Sequence, residues 1–255
     1  MRDALEHLLL PAECLLCRTL FAYRDTGRLV CDVCRHRWRR VRAPWCPRCG
    51  QPEPVFGRCR ICAAWPPVLR TARSAVWLDG GARRAVHALK YGGLPRIAAE
   101  LAGVMAALEL PGRDTAWLVP VPLGPARLRA RGYNQSERLA RALARQWRRP
   151  VVPLLVRVRE TATQTALTPA ERLANVAEAF AVRAAGAGGR RRAGAAPEGP
   201  APRLPAAALV RPLILVDDVF TTGATLAAAA GALERAGART VLAVTFGRAA
   251  IPDFS

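Results

Sequence analysis

Residues 213–226 read LILVDDVFTTGATL, and this stretch determines how the surrounding chain folds. It opens on a continuous, partly β-branched apolar run, which is typical of a strand buried on both faces of a parallel sheet. Asp217 and Asp218 follow where that strand is predicted to end. The small, hydroxyl-rich run TTGAT then leads into an alanine-rich helix. The pattern predicts an α/β domain in which a strand, a short turn and a helix follow in that order.

The turn at residues 221–225 has a composition suited to phosphate. Backbone N–H groups and the positive end of the dipole meet at a helix N-terminus, and small residues let the backbone approach an anion. Threonine hydroxyls add donors. The paired carboxylates suit vicinal sugar hydroxyls, so a sugar 5-phosphate pocket is predicted at the carboxyl end of the strand. The alternative is an ordinary crossover with a solvated aspartate pair and a threonine N-cap.

The apolar–DD–x–x–TTGAT string closely resembles the 5-phosphoribosyl pyrophosphate (PRPP) motif of type I phosphoribosyltransferases. In that family the two acids hold the ribose hydroxyls, and the loop holds the 5-phosphate. The resemblance implies that Asp217 and Asp218 bind the ribose. The implied 5-phosphate ligands are Thr221, Thr222, Gly223, Ala224 and Thr225.

The composition is both basic and apolar. The 255 residues carry a formal net charge of +20 and are 51% hydrophobic, enough for one substantial domain and a small module. This charge favours nucleic acid or another polyanion as a partner, although a compositional bias toward arginine explains part of it. Lys90 is the one lysine among 39 Lys and Arg residues, which makes it a candidate for a chemically required cation; chance retention is the alternative.

The eight cysteines form four C-x-x-C pairs near the start of the chain. Two pairs can complete one tetrahedral zinc site of four thiolates, and metal binding would supply the folding free energy of so small a module. Sequential pairing gives a double zinc ribbon; a cross-braced pairing and a single filled site are alternatives, and a disulfide framework is less favoured. The predicted zinc ligands are Cys14, Cys17, Cys31, Cys34, Cys46, Cys49, Cys59 and Cys62.

A basic and aromatic stretch lies within this module. Cations beside stackable rings suit single-stranded nucleic acid, whereas the alternative is a solvated basic face whose tryptophans close a small core. The residues concerned are Arg35, His36, Arg37, Trp38, Arg39, Arg40, Arg42 and Trp45. The opening sequence MRDALEHLLLPAEC is unlike a signal peptide, and no run approaches the ~18 apolar residues of a membrane span, so a cytoplasmic protein is expected.

The rest of the chain alternates between strands and helices, which predicts a zinc module at residues 1–70 and an α/β domain at 71–255. Strands are predicted at residues 74–78, 117–121, 151–156, 213–216 and 240–246, and helices at 82–89, 96–110, 134–147 and 224–236, with Ser136 as a candidate cap. The Gly-, Pro-, Ala- and Arg-rich residues 183–208 predict a disordered insertion. Basic residues in RLRARGYNQ, at 127–135, follow a strand and suit a pyrophosphate group.

The strings VPVPL…RGYNQ, T-x-x-Q-x-x-L-T-x-x-E-R-x-x-N-V-x-x-A-F and VDDVFTTGAT follow four C-x-x-C pairs, and together they resemble the ComF/GntX family. The resemblance covers nearly the whole chain. It implies a type I phosphoribosyltransferase fold, a pyrophosphate loop at residues 121–134 and a mobile loop at 157–175. The candidate catalytic residues are Asp217 and Asp218, with Lys90, Arg131 and Arg172 as cations that could neutralise the leaving group.

The same resemblance implies function. We expect PRPP to bind with Mg²⁺, beside one or two structural Zn²⁺ ions, in a phosphoribosyltransferase whose acceptor is unidentified. The family implies a role in uptake or processing of transforming single-stranded DNA, alongside a DNA-translocating helicase partner. The alternative is a zinc protein that senses PRPP or a nucleotide without turnover and binds nucleic acid.

Overall fold

A four-stranded parallel sheet forms the centre of the molecule. The computed structural model describes residues 12–22, 25, 27–52, 59–159, 178–183 and 203–250. In chain order the strands are β1 (Leu69–Trp77), β2 (Trp117–Pro120), β3 (Leu155–Arg157), β4 (Phe180–Val182), β5 (Leu213–Phe220) and β6 (Val241–Arg248). The parallel sheet has the order β1-β6-β5-β2, whereas β3 and β4 form a separate antiparallel pair. Strand β5, which contains the aspartate pair, is therefore an inner strand with a neighbour on each side.

Helices cover both faces of this sheet. In chain order they are α1 (Asp32–His36), α2 (Gly80–Tyr91), α3 (Ile97–Met105), α4 (Pro125–Arg131), α5 (Gln135–Trp147), α6 (Ala206–Leu209) and α7 (Ala224–Arg235). Leu213 and Leu215 of β5 pack into the core that contains α7. Ile214 and Val216 face the opposite core, with α2, α3 and α5. Because β5 is buried on both faces, the predicted α/β class with a mostly parallel, helix-flanked sheet is confirmed.

Two strand predictions need correction. Residues 151–156 do not form one strand: Val151 makes only an isolated bridge to Leu118, and β3 begins at Leu155. Pro153 lies between them and cannot donate a backbone hydrogen bond, which interrupts the ladder. Strand β5 also continues past the aspartate pair to Phe220, because β6 is equally long and pairs Arg248 with Phe220.

The cysteine-rich module shares its interior with the α/β domain. Trp65 and the second group of cysteines belong to the core that contains α7. Trp38, Cys14 and Cys34 belong to the core on the other face, where the Trp38 ring meets Phe246 edge-on at 5.1 Å between centroids. The boundary predicted at residue 70 falls within β1, whose first residue is Leu69. The two parts therefore pack as one folded unit on both faces of the sheet.

The segment at 183–208, predicted as a disordered insertion, has ordered residues at both of its ends. Leu204 and Ala208 are buried in the core, and α6 begins at Ala206, so the last part of the segment is ordered. The backbone N–H of Arg183 donates to the carbonyl of Leu154 at 2.7 Å, which attaches the first residue to the antiparallel pair. Residues 184–202 lie outside the described residues. An alanine-rich run is typical of a linker, but the end of this one packs into the core that contains α7.

Candidate phosphate-binding site and metal centres

Asp217 and Asp218 lie near the carboxyl end of β5, and both side chains are buried. Asp217 Oδ1 accepts hydrogen bonds from Ser136 Oγ at 2.8 Å and from the backbone N–H of Asp218 at 2.9 Å. Asp218 Oδ1 forms an ion pair with Lys90 Nζ at 2.9 Å. Asp218 Oδ2 is buried without a hydrogen-bond partner among the described residues. Because an unpaired buried acceptor is costly, this oxygen fits a hydroxyl or a hydrated cation supplied by a ligand.

The turn after β5 is shaped by one glycine. Gly223 is the N-cap of α7, with φ of 77°, and no side chain caps the helix there. A Cβ at Gly223 would lie 2.4 Å from Trp65 Cζ2, so the left-handed conformation and the close indole ring both require glycine. Thr222 and Thr225 are half-buried, and Thr221 is exposed. The expected alternative of a threonine N-cap is wrong; the uncapped N–H groups of α7 are available to an anion.

A basic cleft opens beside the aspartate pair. Its volume is about 370 Å³, and its lining residues are Lys90, Tyr91, Gly93, Arg127, Ala130, Arg131 and Tyr133. The Arg131 guanidinium lies 5.1 Å from the centre of the Tyr91 ring and donates to Gln135 Oε1. Lys90 both lines the cleft and pairs with Asp218, so it connects the cationic and acidic parts of the site. The structure therefore brings together Lys90, Arg131 and the aspartates; Arg172 and most of the predicted mobile loop lie outside the described residues.

Two cysteine clusters each have a composition that suits a structural zinc ion. The four Sγ atoms in each cluster lie within 4.8 Å of one another. The clusters are Cys14, Cys17, Cys31 and Cys34, and Cys46, Cys49, Cys59 and Cys62. Sγ–Sγ distances of 3.7 Å (Cys17–Cys31), 3.7 Å (Cys46–Cys62) and 3.5 Å (Cys49–Cys59) are too long for disulfides. They fit a tetrahedral ion with Zn–S bonds of about 2.3 Å, which separate the sulfurs by about 3.8 Å.

The sequential cysteine pairing is confirmed, and the cross-braced and disulfide alternatives are wrong, since all eight thiols are free and segregate by order in the chain. The residues fit two structural zinc ions. Comparison with known proteins agrees: a family profile described as a double zinc ribbon domain matches residues 5–64.

The similarity extends well beyond the cysteine-rich module. The DNA utilization protein YhgH of Salmonella typhimurium is 33% identical over 250 residues, which cover 92% of this chain and 96% of that protein. The chain belongs to the ComF family. YhgH of Escherichia coli K12 is 31% identical over 245 residues, with the same coverage of both chains. The competence protein ComFC of Bacillus subtilis is 27% identical over 242 residues, covering 88% of this chain and 89% of that protein.

In this ComF family chain, the tryptophan rings of the cysteine-rich module are too buried to stack on nucleic-acid bases. Trp38 is 3% exposed, and the half-buried ring of Trp45 is covered by the Arg73 guanidinium at 5.3 Å. Arg35 is engaged with Asp32 and Glu100. Of the two interpretations of this stretch, the structure favours tryptophans that close a small core. No helix within the described ranges is both long and apolar enough to cross a bilayer.

Ser136 is a site residue that sequence reasoning missed in this ComF family protein. The sequence predicts it as the cap of α5, but Asn134 takes that position by accepting the Ser136 backbone N–H at 3.0 Å. The Ser136 hydroxyl binds Asp217 instead. The Asn134 side chain also donates to the Val121 carbonyl at 3.0 Å, which joins the two ends of the predicted pyrophosphate loop. The signal available in sequence was the NQS string at a helix start, where asparagine is as good a cap as serine.

Protonation of Asp217 is coupled to folding. Burial, with a further contribution from the Asp218 charge, raises the pKa of Asp217 to about 7, although Ser136 and Lys90 oppose the shift. Between about pH 4 and 7 the native carboxyl keeps most of its proton while the unfolded one is ionised, so native stability falls as pH rises through this range and levels off above it. In the free protein, the native state is therefore less stable with Asp217 ionised than with Asp217 protonated.

We expect Asp217→Asn to remove this pH dependence. The asparagine oxygen still accepts from Ser136 but carries no charge at any pH. The free energy of unfolding of the variant relative to the wild-type protein should therefore increase from about pH 4 to about 7 and level off by about pH 8. Denaturant titrations of zinc-loaded protein measure this difference, with Asp114→Asn as control, because the Asp114 side chain is 90% exposed. A constant difference across the range would contradict the raised pKa.

Proposed function

We propose that this ComF family protein binds PRPP with Mg²⁺ and is a phosphoribosyltransferase whose acceptor is unidentified. The observation that carries the proposal is the buried aspartate pair near the end of β5. Asp218 Oδ2 has no hydrogen-bond partner among the described residues, and Asp218 Oδ1 lies 2.9 Å from Lys90 Nζ. Two adjacent buried carboxylates with one cation between them would be unfavourable in a purely structural role. A ribose with two adjacent hydroxyls supplies the missing donors.

The turn before α7 is the proposed 5-phosphate site. The N-terminus of this 12-residue helix has no side-chain cap, and Gly223 allows the backbone to turn there. The hydroxyls of Thr221, Thr222 and Thr225 add donors around the same point. The turn directly follows the strand that contains the aspartates, so one ribose 5-phosphate can present its anion to the turn and its ring hydroxyls to the carboxylates.

The basic cleft is the proposed pyrophosphate site. Lys90, Arg127 and Arg131 line it, and no carboxylate is among its described lining residues. Two or three cations opposite a diphosphate neutralise charge that grows as the leaving group departs. Magnesium, when bound with PRPP, supplies further charge neutralisation at the diphosphate oxygens, and the aspartate oxygens fit its preference for hard donors.

The proposed reaction exchanges one bond at C1 of the ribose. The bond from C1 to the pyrophosphate oxygen breaks with both electrons leaving on pyrophosphate, and a new bond forms from C1 to a lone pair of the acceptor. Positive charge develops on the sugar ring between these events. With the ribose hydroxyls held by Asp217 and Asp218, these carboxylates would stabilise that charge, and they would do so best when both are ionised.

The names of the relatives favour a function that involves DNA. YhgH is named a DNA utilization protein and ComFC a competence protein, so we propose that this chain also acts in uptake or processing of DNA. The single-stranded form of that DNA and a DNA-translocating helicase as partner are the parts of the proposal that rest on the ComF/GntX resemblance alone. Tyr91 supports this assignment, because it is 70% exposed at the edge of the basic cleft. An exposed ring beside arginines offers a stacking surface for a base.

A second function, PRPP sensing without turnover, is favoured by one feature. The described lining of the cleft contains cations and tyrosines but no carboxylate that could remove a proton from an acceptor. An acceptor that must lose a proton would have to use Asp217 or a group outside the described residues. Turnover therefore separates the two functions, whereas PRPP binding is common to both.

Calorimetric titration of zinc-loaded protein with PRPP tests the proposal. We expect saturable binding that strengthens when Mg²⁺ is added. Release of pyrophosphate in the presence of single-stranded DNA, measured by a coupled phosphate assay, would establish the transferase; binding without release would favour the sensor. The absence of PRPP binding by folded protein with two zinc ions per chain would refute both.

A further inference from the structure

Arg248, at the end of β6, is a buried cation without a carboxylate partner in the described structure. It is 1% exposed. Its Nη1 donates to the Cys49 carbonyl at 2.9 Å, and its Nη2 donates to Gln51 Oε1 at 2.6 Å. The guanidinium also lies 4.2 Å from the centre of the Phe220 ring. Arg248 thus connects the second cysteine cluster to the residue that immediately precedes the proposed phosphate turn.

Trp65 makes a second connection between the same two places. It follows Cys62 by three residues, and its ring approaches Phe220 at 5.9 Å between centroids. The edge of the indole fills the space above Gly223, where even a methyl group would not fit. Arg48, between Cys46 and Cys49, holds this segment by donating to the carbonyls of Cys62 at 3.0 Å and Trp65 at 3.1 Å.

The buried charge of Arg248 favours a negatively charged group nearby. A buried guanidinium is stable only near negative charge, and a zinc ion with four thiolates carries a net charge of about −2. The second cluster has that composition, and the Cys49 carbonyl bonded to Arg248 belongs to one of its ligands. The first cluster packs on the opposite face of the sheet, in a different core. The two metal centres therefore differ in their connection to the turn.

We propose that the second zinc cluster positions the phosphate turn through Arg248 and Trp65. This inference rests on the proposed PRPP site and assigns both side chains as positioning residues. Metal in the second cluster fixes the C-x-x-C loops, and these loops fix the guanidinium and the indole against Phe220 and Gly223. Metal in the first cluster supports the fold without this effect.

The experiment compares the buried Arg248 with the half-buried Arg73. Arg248→Met is expected to weaken PRPP binding about tenfold, the size typical of a coupled position outside the binding site. Pyrophosphate binding, which uses Lys90 and Arg131, should be unchanged. Arg73→Met is the matched control, because Arg73 also holds the second ribbon through the Pro47 carbonyl at 2.8 Å but does not reach the turn. Zinc content, melting temperature and both affinities are measured for each protein.

Further variants keep the test decisive if Arg248→Met folds poorly. Arg248→Lys keeps the charge but loses the forked contact, and its PRPP affinity should lie between those of wild-type and Arg248→Met. Trp65→Phe shortens the ring above Gly223 and should also weaken PRPP selectively. Cys46→Ser and Cys17→Ser disturb one cluster each, and only Cys46→Ser should reduce PRPP affinity.

The outcomes separate this inference from the function on which it rests. A wild-type protein that fails to bind PRPP overturns both. If wild-type binds PRPP, the inference is overturned by equal PRPP affinity in Arg248→Met and Arg73→Met, or by equal effects of Cys17→Ser and Cys46→Ser. Parallel losses of PRPP and pyrophosphate affinity in Arg248→Met also overturn it, because they indicate general destabilisation rather than displacement of the turn.

Discussion

The double substitution Asp217→Asn/Asp218→Asn is expected to abolish PRPP binding in the presence of Mg²⁺. Each carboxylate offers a ribose hydroxyl a charge-assisted hydrogen bond of about 1.5–3 kcal/mol, so losing both should weaken binding by about a hundredfold or more. The neutral amides also remove the negative charge that favours magnesium at these oxygens. Calorimetry should detect no saturation at concentrations that saturate the wild-type protein.

Measurements of melting temperature are the control that separates this loss of binding from unfolding. Burial raises the pKa of Asp217, so ionised Asp217 destabilises the free protein near neutral pH. Replacing Asp217 with asparagine should leave the melting temperature unchanged or raise it. Asp218→Asn should lower the melting temperature modestly, because Lys90 loses its ion-pair partner. Asp114→Asn provides the control for an exposed carboxylate. Wild-type affinity for PRPP in the double variant would exclude the aspartate pair as the ribose site.

The second large effect is expected from Gly223→Ala. The added Cβ would lie 2.4 Å from Trp65 Cζ2 and 2.9 Å from Phe220 Cζ, and an L-residue at φ of 77° is itself strained. The strain alone costs about 1–3 kcal/mol, and the turn can avoid the clash only by moving. We expect PRPP affinity to fall by about a hundredfold, because a displacement of the N–H groups removes several phosphate contacts at once.

The Trp65 ring provides a test of the steric cause. Gly223→Ala/Trp65→Leu removes the nearest obstructing atoms, so the double variant should recover part of the lost affinity relative to Gly223→Ala. Gly231→Ala is the matched control: Gly231 lies within α7 and a Cβ there meets only the flexible end of Arg235. This control should bind PRPP like wild-type. Trp65→Leu alone is measured alongside, because Trp65 is itself a proposed positioning residue. If the losses of the two single variants simply add in the double variant, backbone strain and not the indole accounts for the effect of Gly223→Ala.

Contiguous features of the site were predictable from sequence, whereas features assembled from distant segments were not. The aspartates and the glycine turn lie in one string, so their type and spacing are visible together. Ser136 binds Asp217 from 81 positions away in the chain, and only the fold brings the two side chains together. Lys90 stands out in the sequence because lysine is otherwise missing, but its pairing with Asp218 depends on how α2 crosses the sheet.

The cysteine-rich module illustrates the same limit. Spacing predicted the ligands, and sequential order predicted their grouping. The burial of Trp38 could not be predicted locally, because it depends on Phe246 in the last strand of the sheet. The role of Arg248 was likewise invisible: an arginine near the end of a chain with so many arginines gives no sign that it is buried and bonded to the Cys49 carbonyl.

The ion pair between Lys90 and Asp218 has a practical consequence for chemical labelling. Lys90 is the sole lysine of the sequence, so an amine-reactive reagent has one side-chain target, in addition to the α-amino group. That target lies at the junction of the acidic pair and the basic cleft, with 24% of its side chain exposed. A single acyl group or fluorophore attached there reports directly on the pocket, and protection from the reagent becomes a measure of its occupancy without any engineered handle.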